Sequence, residues 1–179
     1  MSDDAGRIPA HVIEIVLAEL HKLKTQSDRT IAQLRDEDLF FQLNPDQNSI
    51  YVIMKHMARN MLSRWTDFRT TDGEKDWRNR DEEFIERVVP RQQVLNHWES
   101  GWKCLFDAMA SIQPDELMRT ITIRGEAMSL FQAINRQTAH YGYHVGQIVL
   151  LAKHIRGKDW QYLTIPRGQS EQFNRQMRK

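Results

Sequence analysis

Four long stretches of this sequence carry apolar residues at steps of three and four, the spacing that places them along one face of an α-helix. The chain has only eight glycines and five prolines in 179 residues, so few residues would break such helices. The pattern predicts helices over about residues 8–34, 50–68, 90–112 and 130–156. We therefore expect an all-α fold, a four-helix bundle in a single domain over residues 1–179, with a polar tail from about residue 169 that frays.

Local signals mark several ends of these helices. Asn48 or Ser49 can cap the second helix, and Ser129 can cap the fourth helix, which Gly157 ends. The alternating β-branched residues of Thr120–Arg124 precede a glycine, which predicts a short strand or hairpin arm before the fourth helix.

The connection between the second and third helices is long and polar, and covers about residues 70–81. Trp77 and Phe84 indicate that this connection lies against the rest of the protein. Long connections of this kind are more often functional than structural filler.

Composition excludes several classes of protein. Lys plus Arg is 25 and Asp plus Glu is 24, a formal net charge of +1, so no long-range field favours nucleic acid or an acidic membrane surface. A single cysteine, Cys104, excludes an internal disulfide and a CxxC site. No stretch approaches the roughly 18 apolar residues of a membrane span. The acidic first residues lack a signal-peptide core, so we expect a cytoplasmic protein.

The pair His140 and His144 is the strongest chemical signal in the chain. Residues four apart on a helix lie above one another with Cβ atoms about 5–6 Å apart, which lets two imidazoles bind one ion. The helical pattern places both on the core-facing side, beside Ala133 and Ile148. Buried neighbouring imidazoles repel each other when charged, and a shared cation removes this conflict. The alternatives are a surface pair or two core histidines with ordinary hydrogen bonds.

A third ligand must come from another helix, and His56 is the best candidate because it lies at the edge of the apolar face of the second helix. The remaining histidines are expected to be solvated or half-buried; they are His11, His21, His97 and His154.

Several well-known sites are absent from the sequence. The residue after His140 is Tyr141, so this is not an HExxH zinc protease helix. The sequence has no Glu-x-x-His of carboxylate-rich di-iron bundles, no GxSxG, no GxGxxG and no phosphate-binding Walker loop. Cys104 falls in the middle of a predicted helix, which favours a structural role.

A histidine on the second helix and an HxxxH on the fourth resembles the DinB/YfiT-like superfamily of metal-binding four-helix bundles, and within it an uncharacterised bacterial DinB-like subfamily. The resemblance covers nearly the whole chain. It is carried by Asn48–Ile50 and His56, Asp72–Lys75, Trp77–Asp81, Ile123–Glu126, Asn135–Gln137, His140, His144–Ile148 and Ile165–Gly168.

This resemblance implies a divalent metal ion held by His56, His140 and His144 in a protein that forms a homodimer. Some members of the superfamily are thiol-dependent transferases or isomerases that use low-molecular-weight thiols such as bacillithiol or mycothiol. Imidazole ligands suit zinc or nickel best, with iron or manganese as alternatives.

Three neutral imidazoles would leave the ion with an open position, as in catalytic sites. The expected nucleophile is a water or thiolate at the metal, and no protein residue is assigned to that role. Asn60, Gln137 and Gln147 are candidates for orienting the ligands. For a small anionic substrate, the candidates are Arg78, Arg80, Arg124 and Arg136.

The sequence leaves more than one function open. The first is a metal-dependent thiol S-transferase or hydrolase. The second is a non-catalytic, metal-stabilised bundle that acts as a stress-related binding or interaction protein. An ion that joins His56 to His140, 84 residues apart, would remove about 4 kcal/mol of chain freedom from the unfolded state. The third is a ligand sensor or interaction module without a metal.

Overall fold

The computed structural model describes residues 4–178, with side chains from residue 7 onward. In this part of the chain, five α-helices and one two-stranded sheet are joined by loops and short 3-10 turns. The all-α class is therefore confirmed. In chain order the elements are α1 Asp4–Ile31, α2 Ile50–Trp65, α3 Arg91–Ser111, β1 Thr120–Ile123, β2 Glu126–Ser129, α4 Leu130–Arg156 and α5 Ser170–Met177.

The predicted caps of α2 and α4 are confirmed. The Ser49 hydroxyl accepts a hydrogen bond from the backbone N–H of Val52 and so caps α2. Ser129 and Gln132 bond each other's backbone N–H groups at the start of α4, which is a capping box. Gly157, with a φ of 53°, ends α4 as expected.

Three helix boundaries differ from the predicted ones by three or four residues: α1 begins at Asp4 and not near Ile8, and it ends at Ile31 and not near Leu34. Helix α2 ends at Trp65 and not near Phe68, because Thr66 has an extended ψ of 124° and Asp67 follows with a φ of 47°, which a right-handed helix cannot include. The stretch expected to fray forms α5, none of whose residues is buried. Lys179, the end of the predicted tail, lies outside the described residues.

Helix α2 is the central element of the packing. It packs along α3, it also contacts α4, and α1 packs along α4. The side chains between these helices are almost fully buried and are mostly long or aromatic, so they interlock over a large area. They include Leu20 of α1, Met54, Met57 and Met61 of α2, Trp98, Trp102 and Leu105 of α3, and Tyr141 and Ile148 of α4. This packing brings the middle of α2 beside the middle of α4.

The predicted hairpin arm is confirmed. Strands β1 and β2 pair antiparallel, from Thr120 opposite Ser129 to Ile123 opposite Glu126. The turn residues Arg124 and Gly125 have φ values of 56° and 73°. The carboxylate of Asp72 accepts both of their backbone N–H groups at 2.8 Å, which ties the connection after α2 to the hairpin.

None of the helices in residues 4–178 combines the length and the apolar character needed to cross a bilayer. Met1–Asp3, which contribute to the expectation of a cytoplasmic protein, lie outside the described residues.

The close approach of α2 and α3 depends on Gly101. A Cβ atom added there would lie 2.7 Å from the Cα atom of Ala58. We therefore expect Gly101→Ala to push the helices apart and to lower the free energy of unfolding by about 1–3 kcal/mol, measured by urea denaturation.

The matched control is Gly146→Ala on α4, where an added Cβ would meet nothing within 4 Å. This change should raise the free energy of unfolding by about 0.5–1 kcal/mol, because alanine is the better helix former. Equal effects of the two substitutions would contradict the close approach.

Candidate metal centre

Three histidines from two helices meet where α2 contacts α4. His56 lies in the middle of α2, and His140 and His144 lie one turn apart on α4. One ligand nitrogen from each of the three rings lies within 4.8 Å of the others. The structure therefore brings together the two helices, α2 and α4, on which the sequence analysis placed the candidate ligands.

The distances suit ligands of a single ion. The Nε2 atom of His140 lies 3.3 Å from Nε2 of His56 and 3.0 Å from Nε2 of His144. Nitrogens bound to one ion at about 2.0–2.1 Å are separated by roughly 2.9–3.4 Å for angles between octahedral and tetrahedral. Both distances fall within this range, so the residues present fit a divalent transition metal ion.

Hydrogen bonds fix which nitrogen carries the proton on two of the rings. Nδ1 of His56 lies 2.8 Å from a carboxylate oxygen of Glu83, and Nδ1 of His144 lies 2.8 Å from the amide oxygen of Gln147. Because both oxygens are acceptors, the Nδ1 atoms donate and the Nε2 atoms keep their lone pairs. These lone pairs are directed toward the third ring, which is the arrangement that metal-binding histidines require.

The third ring is also in the form that binds metals. Burial, followed by the neighbouring His144 and His56, lowers the pKa of His140 to about 3. Burial likewise lowers the pKa of His144. Both rings are therefore neutral at pH 7, and Nδ1 of His140 is buried without a hydrogen-bond partner among the described residues.

Glu83 was not found from the sequence, although it holds the site together. Its side chain is fully buried, and the Arg78 guanidinium donates two hydrogen bonds to it, at 2.8 and 2.9 Å. Burial alone would raise the pKa of the Glu83 carboxyl, but the hydrogen bonds from His56 and Arg78 outweigh burial and lower it. The only signal for Glu83 in the sequence is its place beside Phe84, just after the predicted connection, which Phe84 indicates to lie against the rest of the protein.

Burial of the three histidines differs from the prediction. The sequence placed the α4 pair on the core-facing side, but His140 and His144 are half-buried at its edge. Tyr141 and Val145, each one residue further along the chain, occupy the centre of the buried face. His56, predicted at an edge, is buried, because the connection after α2 covers it with Glu83.

The three residues proposed to orient the ligands have different neighbours. Gln147 bonds His144, as expected. Asn60 accepts a hydrogen bond from the Tyr141 hydroxyl at 3.3 Å. Gln137 is buried, and its side-chain oxygen has no hydrogen-bond partner among the described residues.

The four candidate arginines are not gathered around one substrate position. The side chain of Arg78 is buried against Glu83, so it does not present its guanidinium to solvent. Arg124 pairs with Glu74 at 2.9 Å beside the hairpin turn. Arg80 lies over the ring of Phe84, 4.8 Å from its centroid. Arg136 is exposed on α4, one turn before His140.

The remaining histidines and the cysteine behave as expected. His11, His21 and His154 are exposed, and His97 is half-buried. Cys104 is half-buried, and burial raises the pKa of its thiol, which suits a structural role.

Fold and site together define a helical protein with three histidines arranged so that they can hold a metal ion. The chain belongs to the family described as "Protein of unknown function (DUF1572)", whose model matches residues 8–169. No curated protein matches the chain.

The substitution Glu83→Gln tests the buried carboxylate, because it removes the charge and keeps the size of the side chain. Arg78 would then be buried with only the more distant Glu74, 3.4 Å from its guanidinium. We expect the free energy of unfolding at pH 7 to fall by about 3 kcal/mol or more, measured by urea denaturation.

The neighbouring Glu82→Gln is the control, since Glu82 is exposed and pairs with Arg87 at the surface. Its effect should stay within about 0.5 kcal/mol. If Glu83→Gln lowered the free energy of unfolding equally little, the buried charge would not be needed for stability.

Proposed function

We propose that this protein is a DinB-like four-helix bundle, formed by α1 to α4, that binds one divalent transition metal ion at His56, His140 and His144. The main support for the proposal is that one ring nitrogen from each of the three histidines lies within 4.8 Å of the other two. The hydrogen bonds of Glu83 and Gln147 support it, because they keep two of these nitrogens unprotonated.

The ligand set favours particular metals. Three imidazoles suit zinc or nickel, with iron or manganese as alternatives, and do not suit magnesium or calcium, which prefer oxygen ligands. In the described part of the chain, the candidate group consists of these three side chains. His140 and His144 are only half-buried, which gives a further ligand access from solvent.

We propose a catalytic role, as a metal-dependent thiol S-transferase or hydrolase. A divalent ion at this site would supply Lewis-acid chemistry, which acidifies a thiol or water that reaches it. The protein residues orient the site: Glu83 and Arg78 fix the ring of His56, and Gln147 fixes the ring of His144. Arg136, exposed one turn before His140, is the candidate for contacting an anionic substrate.

A second candidate function is a metal that only stabilises the bundle of a stress-related binding or interaction protein. The separation of His56 and His140 by 84 residues favours it, because an ion that joins them restricts a long loop of the unfolded chain. In that case a fourth ligand from the protein would close the site.

The first test is metal content. We expect the purified protein, or the protein reconstituted with zinc or nickel, to contain about one metal ion per chain by elemental analysis, as a three-ligand site requires. His140→Ala should abolish this binding because it removes the central ligand.

His154→Ala is the matched control, since this histidine lies exposed near the end of the same helix. Its metal content should equal that of the unsubstituted protein. Equal losses in both variants, or no metal in any preparation, would contradict the proposed ligands.

The second test separates catalysis from stabilisation. Metal-loaded protein is incubated with an electrophile and a panel of small thiols, including bacillithiol and mycothiol, and the products are identified by mass spectrometry. We expect metal-dependent formation of a thioether or a hydrolysis product, lost in His140→Ala and retained in His154→Ala. No turnover, together with a fourth protein ligand at the metal, would support the structural role.

A further inference from the structure

A cavity whose lining does not include the three histidines lies near Glu83, which is 3.7 Å from the lining residue Arg59. This cavity of about 420 Å³ opens between α2, the connection that precedes α3, and the first turns of α3. We call it the α2–α3 cavity; its lining includes Tyr51, Lys55, Arg59, Arg87, Val94 and His97. Its volume is in the range of small-molecule sites.

Two cations on α2 line the α2–α3 cavity. Lys55 and Arg59 are one helical turn apart, so their side chains lie on the same face of α2. The Nε atom of Arg59 is buried without a hydrogen-bond partner among the described residues, and it lies 3.7 Å from Glu83, beyond hydrogen-bond distance. Lys55 donates to the backbone oxygen of Ile85 at 2.6 Å, which uses one of its three protons.

The acids near these cations are engaged elsewhere or are buried. Glu82 pairs with Arg87 at 2.7 Å. Glu83 is bonded to His56 and Arg78. Burial raises the pKa of the Glu86 carboxyl and outweighs the opposite effects of Ser49 and of the charge of Lys55. Donors of Lys55 and Arg59 are therefore available to a ligand.

Apart from the ion pair of Glu82 and Arg87, the other residues that line the α2–α3 cavity are neutral. Tyr51, Val89 and Val94 supply apolar surface, and Asn79 and Gln93 supply neutral polar groups. Burial, and next the charge of Arg59, lower the pKa of His97, so this ring is neutral at pH 7. A ligand that fits these walls combines one anionic end with an apolar body.

We propose that the α2–α3 cavity binds a small organic carboxylate, with its carboxylate between Lys55 and Arg59 and its apolar part against Tyr51 and Val94. Lysine and arginine donors in a partly enclosed site form strong charge-assisted hydrogen bonds to a carboxylate. This site is separate from the histidine cluster, because the residues that line the cavity do not include the three histidines.

The test uses 4-fluorobenzoate as the probe, with binding to the full-length protein measured by ¹⁹F NMR. The uncharged probe 4-fluorobenzamide has nearly the same shape. We expect 4-fluorobenzoate to bind at least about tenfold more tightly, because only the carboxylate can accept charge-assisted hydrogen bonds from both cations. Equal binding of the two probes, or no binding of 4-fluorobenzoate, would overturn the proposal.

Substitutions of residues that line the α2–α3 cavity test whether 4-fluorobenzoate binds there. Lys55→Met and Arg59→Met should each weaken the binding of 4-fluorobenzoate about tenfold. Lys103→Met is the matched control, since Lys103 is exposed on α3 and pairs with Asp107; binding should not change. Because Arg59 lies near Glu83, Lys55→Met serves as the variant that leaves the Glu83 contacts intact.

His140→Ala distinguishes this site from the proposed metal site. Binding of 4-fluorobenzoate should persist in His140→Ala even if that protein contains no metal. Loss of binding in His140→Ala without loss in Lys55→Met would place the carboxylate at the metal and overturn the proposal.

Discussion

The arrangement of the histidines depends on one buried carboxylate. Glu83 is fully buried, a position that costs several kcal/mol for an unpaired charge. Two hydrogen bonds from Arg78 and one from Nδ1 of His56 offset this cost. The same contacts hold the connection between α2 and α3 against α2. One group therefore covers His56, fixes its tautomer and directs its Nε2 atom toward α4.

The packing of α2 against α4 also positions the histidines. Tyr141, between the two histidines of α4, is fully buried and accepts a hydrogen bond from the indole of Trp65 at 3.0 Å. Its hydroxyl donates in turn to Asn60. These bonds connect the C-terminal half of α2 to the middle of α4, so the rotation of α4 is fixed relative to His56. Tyr141 stands at the position where an HExxH motif has its glutamate, and here it helps to position His140 and His144 within the fold.

Much of the fold could be predicted because its signals are local. Ser49, Ser129 and Gly157 act through bonds within a few residues, and the four-residue spacing of His140 and His144 is a property of one helix. Glu83 could not be predicted, because it belongs to a connection without periodicity and because tertiary packing brings its partner His56, 27 residues away, to it. The half-burial of the α4 pair was also missed, because a helical pattern does not locate the centre of a buried face to within one residue.

The charges around the histidines limit what the site can bind. His140 and His144 are neutral at pH 7, and the charge of Glu83 is already matched by Arg78. A divalent ion at this site would keep most of its positive charge, because its nearest carboxylate lies behind a ring and is paired with an arginine. Such an ion attracts an anionic ligand from solvent more strongly than one with carboxylate ligands. Because His140 and His144 are only half-buried, such a ligand could reach an ion at this site from solvent, which agrees with the open site that we propose.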